Sequence, residues 1–279
     1  MTDFGDPRLA PYRDARDADL RGAHGLFLVE SARCVSRFLR ACERGPWKPV
    51  SALLAPEHMA TIAPLATRVG CPVFEADMES IAAHSGYRFH HGALALGEHT
   101  QGPPLQDLLA ALPPGPASVL VADGVVHVDN IGALFRNAAC LGASAVVLGP
   151  GCADPLGRKC IRISMGRVFG VPFTTVPDAG AALAQLKQSG FQCVAVEQSP
   201  TAIALHDWKP PQRVALLVGA EGRGVQPALL QACDACVEIA GSLDPLAGEG
   251  DGPPSLNVST ASAIVLHELR RSGAHARPA

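Results

Sequence analysis

At 279 residues the chain is long enough for one large or two ordinary domains with a substantial buried core, and its 48% hydrophobic content sets it apart from disordered sequences. No apolar run approaches the ~18 residues of a membrane-spanning helix, and the Asp- and Arg-studded first 21 residues exclude a secretory signal, so the sequence predicts a soluble, cytoplasmic protein with no membrane partner. A net charge of −3 excludes a uniformly basic nucleic-acid binder, and nine irregularly spaced cysteines exclude a disulfide framework in favour of reduced, mostly buried thiols.

Residues 7–97 alternate helical and strand-like stretches. Val35, Phe38 and Leu39 fall at helical spacing and predict a helix over 32–42, while 50–54, 73–74 and 93–96 predict short buried strands. Gly102-Pro103-Pro104 and Pro113-Pro114-Gly115-Pro116 then bracket one or two amphipathic turns carrying Leu105, Leu108, Leu109 and Leu112. Clustered Pro and Gly continue neither a helix nor a strand ladder, so 98–116 predicts a linker at a domain boundary. Beyond it, apolar runs at 119–122, 145–148, 193–196 and 214–218 alternate with helical periods at Ile131, Leu134, Phe135 and Ala138 and at Ala182, Leu183 and Leu186. A last helix carries Val258, Ala261, Val265, Leu266 and Leu269 on one face. Apolar strands alternating with helices predict an α/β architecture with a mostly parallel sheet, whose sites lie at the C-terminal ends of the strands.

Basic side chains crowd two stretches, Arg158, Lys159, Arg162 and Arg167 in one and Arg33, Arg37, Arg40, Arg44 and Lys48 in the other. Solvated helix faces account for many of these, and a local cationic surface remains open. Familiar cofactor and hydrolase signatures are missing. Gly219 to Gly224 is spaced as the reverse of a dinucleotide fingerprint, no phosphate-binding G-x-x-x-x-G-K-[ST] occurs, and Ser255 and Ser259 lack a G-x-S-x-G elbow. Cys233-x-x-Cys236 has neither a second pair nor histidines at suitable spacing, so no metal site is expected; two thiols on one helix flank or turn is the simpler reading.

Three segments stand out because an apolar run meets a Gly- or Asn-rich turn holding a polar residue that no core requires. They are Asn130-Ile131-Gly132-Ala133-Leu134-Phe135-Arg136-Asn137, Val218-Gly219-Ala220-Glu221-Gly222-Arg223-Gly224, and Ser255-Leu256-Asn257-Val258-Ser259. In this order and content they resemble the three motifs of the SpoU (TrmH-like) RNA methyltransferases of the SPOUT superfamily. Arg162-Ile163-Ser164-Met165-Gly166 with Val171-Pro172 is similar to the signature between the first two motifs, and the resemblance runs over residues 117–272. Residues 7–97 resemble the ribosomal-protein-L30-like substrate-binding domain often fused ahead of it, through Gly25-Leu26-Phe27-Leu28-Val29-Glu30-Ser31 and His90-His91-Gly92-Ala93-Leu94-Ala95-Leu96.

The resemblance implies an RNA substrate-binding L30-like α/β domain over 1–97, a Pro/Gly-rich linker over 98–116, and a SpoU-type methyltransferase domain over 117–279 that forms an α/β-knot with a deep trefoil. It also implies a homodimer, S-adenosyl-L-methionine as cofactor, and methyl transfer to a ribose 2′-hydroxyl of tRNA or rRNA, with no role for DNA. Gly219, Ile239 and Leu256 match the positions lining the adenosyl pocket. Glycine permits close backbone approach, and the two aliphatic side chains sandwich the base. Arg136 matches the catalytic arginine; because a guanidinium keeps its proton, its expected part is a fixed cation beside the developing oxyanion. Asn130, Glu221, Ser255 and Asn257 complete the catalytic set. Asn130 and Asn257 are also expected to cap the helices that begin there, and Glu221 to hold its neighbours through charge-assisted hydrogen bonds.

The chain departs from the family pattern at two places. His127-Val128 replaces the Asp-Pro that commonly precedes the first-motif Asn, and Ala240-Gly241 replaces Pro-Met after Ile239. An acidic, Gly/Pro-rich insertion over 242–254, with Asp244, Glu249 and Asp251, follows and is expected to border the cofactor pocket. Two competing readings are a non-catalytic RNA-binding protein that retains the fold and a related knotted enzyme that methylates a base.

Overall fold

Continuous apolar runs become strands, and runs with apolar residues three and four apart become helices, in a computed structural model that describes residues 4–13, 16–85, 92–241 and 255–272. In chain order, α1 (Asp17–His24), β1 (Leu26–Glu30), α2 (Ala32–Cys42), β2 (Pro49–Leu54), α3 (Pro56–Arg68), β3 (Val73–Glu75), α4 (Met78–Ser85) and β4 (Ala93–Glu98) come first. Next are α5 (Leu105–Ala110), β5 (Ala117–Ala122), α6 (Val128–Leu141), β6 (Ala145–Leu148), α7 (Arg158–Ile163), β7 (Phe173–Thr175), α8 (Ala179–Gln188) and β8 (Gln192–Val196). The last are β9 (Ile203–Ala204), β10 (Arg213–Val218), α9 (Pro227–Ala232), β11 (Ala235–Glu238) and α10 (Val258–Arg271). His90 and His91 of the second L30-like run, and the insertion 242–254 with Asp244, Glu249 and Asp251, lie outside the described residues. Among the described residues no helix is long and apolar enough to cross a membrane.

The chain divides into two units, Met1–Thr100 with Asp154–Gly170, and Gln101–Ala153 with Val171–Ala279. In the first, the sheet order is β1-β4-β2-β3, with β4 antiparallel to both β1 and β2 and β3 parallel to β2. Side chains alternate across β1: Leu26 and Leu28 join a core with Leu9, Tyr12, Leu53 and Ile81, while Phe27 meets Phe38, Trp47 and Phe169 on the other side. Gly97 makes that aromatic cluster fit, because a Cβ there would lie 2.5 Å from the Phe27 ring and 2.6 Å from Phe38. Ser31 caps α2, accepting the Cys34 N–H at 3.4 Å from an unusual φ of 86°.

The segment 154–170, which the sequence reading placed inside the C-terminal domain, groups with this first unit. Its apolar face holds Leu156, Cys160, Ile161, Val168 and Phe169, all buried, and α7 packs on β1. Asp17 accepts the Arg158 N–H at 2.9 Å, Trp47 Nε1 donates to Phe169 O at 3.0 Å, and Asp154 is paired with Arg21 and lies 2.9 Å from His99 Nε2. In sequence this stretch registers through its basic residues and its signature, neither of which carries information about the distant surface that covers its apolar face. The two basic stretches of the sequence therefore belong to one unit.

The second unit has a parallel sheet in the order β7-β6-β5-β10-β8-β11-β9. Every residue of β5 and β6 is buried, as a strand covered on both faces requires. Val119 and Val121 turn to one core with α8 and α9, and the Leu105, Leu108 and Leu109 side chains of α5 join it, so the stretch expected as a linker contributes a helix to this core. Each such buried aliphatic side chain contributes roughly 1.5–3 kcal/mol. On the opposite face α6 packs against α10, with α6 touching β6 and α10 touching β8. The α/β class and the mostly parallel sheet are as the sequence predicts.

Candidate active site

Two of the three singled-out turns leave the C-terminal ends of neighbouring strands. β5 and β10 pair in register down to Ala122 opposite Val218, so residues 123–127 and 219–224 emerge side by side. Gly224 N–H donates to Ala220 O at 2.9 Å, with Gly222 and Gly224 at positive φ, and this closes the second turn. Gly219 is obligatory for packing: a Cβ would sit 2.2 Å from Gly224 O and 2.4 Å from Val225 N.

α10 brings in the third segment. Asn257 caps it as expected, its Oδ1 accepting from Ser259 N at 2.8 Å and from Ser259 Oγ at 2.6 Å. Its Nδ2 donates to Asn130 Oδ1 at 3.0 Å and to Glu221 Oε1 at 2.5 Å. Both lone pairs and both amide protons are thus committed, which fixes the side chain completely. The other Glu221 oxygen lies 3.6 Å from His127 Nε2. Deeper between the helices, Asn137 Nδ2 donates to Ser259 O at 2.6 Å and to Ser262 Oγ at 3.2 Å. Three residues far apart in sequence, Asn130, Glu221 and Asn257, therefore form one hydrogen-bonded network with His127 at its rim.

Asn130 is not the helix cap that the sequence suggested. α6 begins two residues earlier, His127 occupies the capping position, and the N–H groups of Asn130 and Ile131 reach His127 O at 3.0 and 3.2 Å. Placed inside the first turn and buried, the Asn130 side chain faces α10 instead. Arg136 lies in the same helix, exposed, and makes no hydrogen bond or ion pair among the described residues.

A second pair of strand ends builds a pocket. β8 and β11 pair with Val196 opposite Val237, and beyond them Val196, Glu197, Gln198 and Ile239 line a cavity of about 360 Å³ completed by Ser255 and Leu256. Leu256 is 50% exposed, unusual for a large aliphatic side chain, and with Ile239 it makes part of the lining apolar. Ser255 makes no hydrogen bond among the described residues. Gly219 shapes the neighbouring turn and is not part of the lining. Glu197 carries the only charge among the described lining residues. Its Oε1 accepts the Gln198 N–H at 2.9 Å and its Oε2 accepts the Val225 N–H at 2.7 Å, tying the pocket to the Gly219–Gly224 turn. Sequence reasoning missed Glu197 and gave His127 no role. The first directly follows a buried strand, which is the position where parallel sheets present ligand-binding groups.

Ser255 and Leu256 line the pocket, and the next residue, Asn257, anchors the network, so cavity and polar cluster adjoin. Apolar walls with one oriented carboxylate suit a small molecule that has a flat apolar part and hydroxyl or cationic groups. Cys233 and Cys236 fall at the end of α9 and within β11, and burial pushes the first thiol up to about 12 and the second upward.

A model of the SpoU rRNA Methylase family matches residues 117–267. A Mycobacterium bovis protein named an uncharacterized tRNA/rRNA methyltransferase is 35% identical, over 100% of this chain and 93% of that protein. A 23S rRNA (guanosine-2′-O-)-methyltransferase of a Burkholderia species is 35% identical over 74% of this chain and 80% of its own length. The AdoMet-bound rRNA methyltransferase of Sinorhizobium meliloti shares the fold, with a TM-score of 0.77 at 23% identity over 97% of both chains.

Proposed function

The chain belongs to the SpoU rRNA methylase family, and from that premise we propose that it transfers a methyl group from S-adenosyl-L-methionine to a ribose 2′-hydroxyl of tRNA or rRNA. The observation that carries the reading is the continuity of pocket and network through Ser255-Leu256-Asn257. A cavity of about 360 Å³ falls within the range of small-ligand sites. Ile239 and Leu256 would hold the adenine, and Ser255, which also lines the cavity, precedes Leu256 and Asn257 in the chain. When bound, the cofactor supplies a methyl group already activated on a sulfonium.

The residues of the chain then position and polarise the ribose. A 2′-hydroxyl is a poor nucleophile until charge builds on its oxygen. The Arg136 guanidinium, permanently protonated and free to reach outward, stabilises that charge, an effect worth roughly 3–4 kcal/mol of barrier. Asn257 holds Asn130 and Glu221 in fixed positions through its own hydrogen bonds, and in this reading the Glu221 carboxylate would orient the incoming ribose, which is where proximity catalysis gains its rate. In this proposal the second unit forms the trefoil knot and pairs in a cytoplasmic homodimer. The first unit is the L30-like RNA-binding domain, supported by the two basic stretches that meet in it.

Titration of the purified protein with S-adenosylmethionine, followed by transfer assays on tRNA and rRNA pools, tests the proposal. Binding with transfer to one pool is expected. Arg136→Ala should lower turnover by about 100-fold or more with cofactor affinity within about 2-fold. Equal losses of both would remove Arg136 from the proposed role. RNA binding without any cofactor binding would replace the enzyme reading by that of a non-catalytic RNA-binding protein.

A further inference from the structure

We propose that Glu197 is the acceptor that grips the two ribose hydroxyls of the adenosyl group. The inference rests on the cofactor reading above and concerns a residue to which that reading gives no task.

Glu197 lies at the pocket wall, immediately after the buried β8 strand. Its carboxylate is not loose. Gln198 N–H holds one oxygen at 2.9 Å and Val225 N–H holds the other at 2.7 Å. Each oxygen has a second acceptor site, so two parallel acceptors are left at fixed separation. A vicinal diol presents two donors at matching separation, whereas an adenine edge offers both donors and acceptors, and a cation needs only charge. Among the named lining residues no other side chain is ionised, and Ser255, with a single hydroxyl, cannot accept from both alcohols in this way. The surroundings are built around the carboxylate: a Cβ on Gly224 would lie 2.3 Å from Glu197 Oε2, so only glycine lets it reach Val225 N–H. Hydrogen bonds to a charged acceptor discriminate strongly against ligands that lack the donor.

Calorimetric titration of wild type and Glu197→Gln with S-adenosylhomocysteine and with its 2′,3′-dideoxyribose analogue tests this. Wild type should prefer the diol ligand by about 10- to 100-fold, and the variant should reduce that preference below about 3-fold. The ratio of S-adenosylmethionine to S-adenosylhomocysteine affinity should stay unchanged, since the contact is with ribose and not with the sulfonium. A purely structural role for Glu197 would weaken diol and dideoxy ligands in equal proportion; that result, or a wild-type preference that survives in the variant, overturns the inference. A changed sulfonium-to-thioether ratio with an unchanged diol ratio overturns it as well, in favour of charge attraction. Failure of the wild type to bind either ligand would overturn the cofactor reading and this inference together.

Discussion

Asn257 does two jobs with one amide, and they are separable. Its oxygen completes the first turn of α10, and its nitrogen holds Asn130 and Glu221 together. Replacement by alanine loses a cap worth about 1 kcal/mol and a part-buried amide contact to Asn130 of about the same net size. Asn257→Ala should therefore lose about 2 kcal/mol in urea denaturation. Asn257→Ser keeps a capping oxygen and should recover about half of that loss, yet it leaves Asn130 and Glu221 unheld and should stay as impaired as alanine in single-turnover methyl transfer. Equal stability of the two variants would show that the cap contributes nothing. The sequence made Asn257, Glu221 and Asn130 visible as polar residues in turns but misjudged how Asn130 is used. A cap is defined by where backbone dihedrals change, and the Val128-Asp129 pair extends the helix in a way that composition does not reveal. Glu197 stayed hidden because its meaning depends on Val225, which only the fold brings within 2.7 Å.

At the scale of elements, the 154–170 segment is held by ionic contacts as well as by its apolar face. Burial acts to raise the Asp154 carboxyl, but hydrogen bonds from His99, Leu156 N–H and Arg21 outweigh it and hold the group below its ordinary 3.8. A depressed folded value means that this contribution is present above 3.8 and disappears as pH falls through the lower folded value. Asp154→Asn should accordingly lower Tm at pH 7, and the gap to wild type should close as pH falls through the lowered folded value. A gap that persists at the acid end would show that packing, not charge, is the cause. Helix α2 was legible to the residue and β6 likewise, because each is strongly periodic or continuously apolar over its full length. β7, β9 and β11 were not. They are short, and β7 and β11 end in Thr or Glu instead of running apolar throughout as β6 does, so they depend on the ladder offered by a neighbouring strand.

For the molecule as a whole, the boundary in space differs from the boundary in sequence. The Pro/Gly-rich stretch around 98–116 marks where the chain first changes unit, but the first unit also needs 154–170. A polypeptide of residues 1–97 should therefore expose the faces of Trp47 and Phe27 that Phe169 covers, with red-shifted Trp47 emission and a broad unfolding transition. Joining 154–170 to it through a flexible Gly/Ser connector should restore a blue-shifted, cooperative transition. Identical behaviour of the two polypeptides would show that the segment is dispensable to that unit. Chimeras that exchange the first unit for that of a relative would ordinarily be spliced once, in the proline-rich stretch. Here a single splice strands the excursion between β6 and β7 against a foreign surface, so the first unit is exchangeable only as two separate pieces of coding sequence swapped in concert.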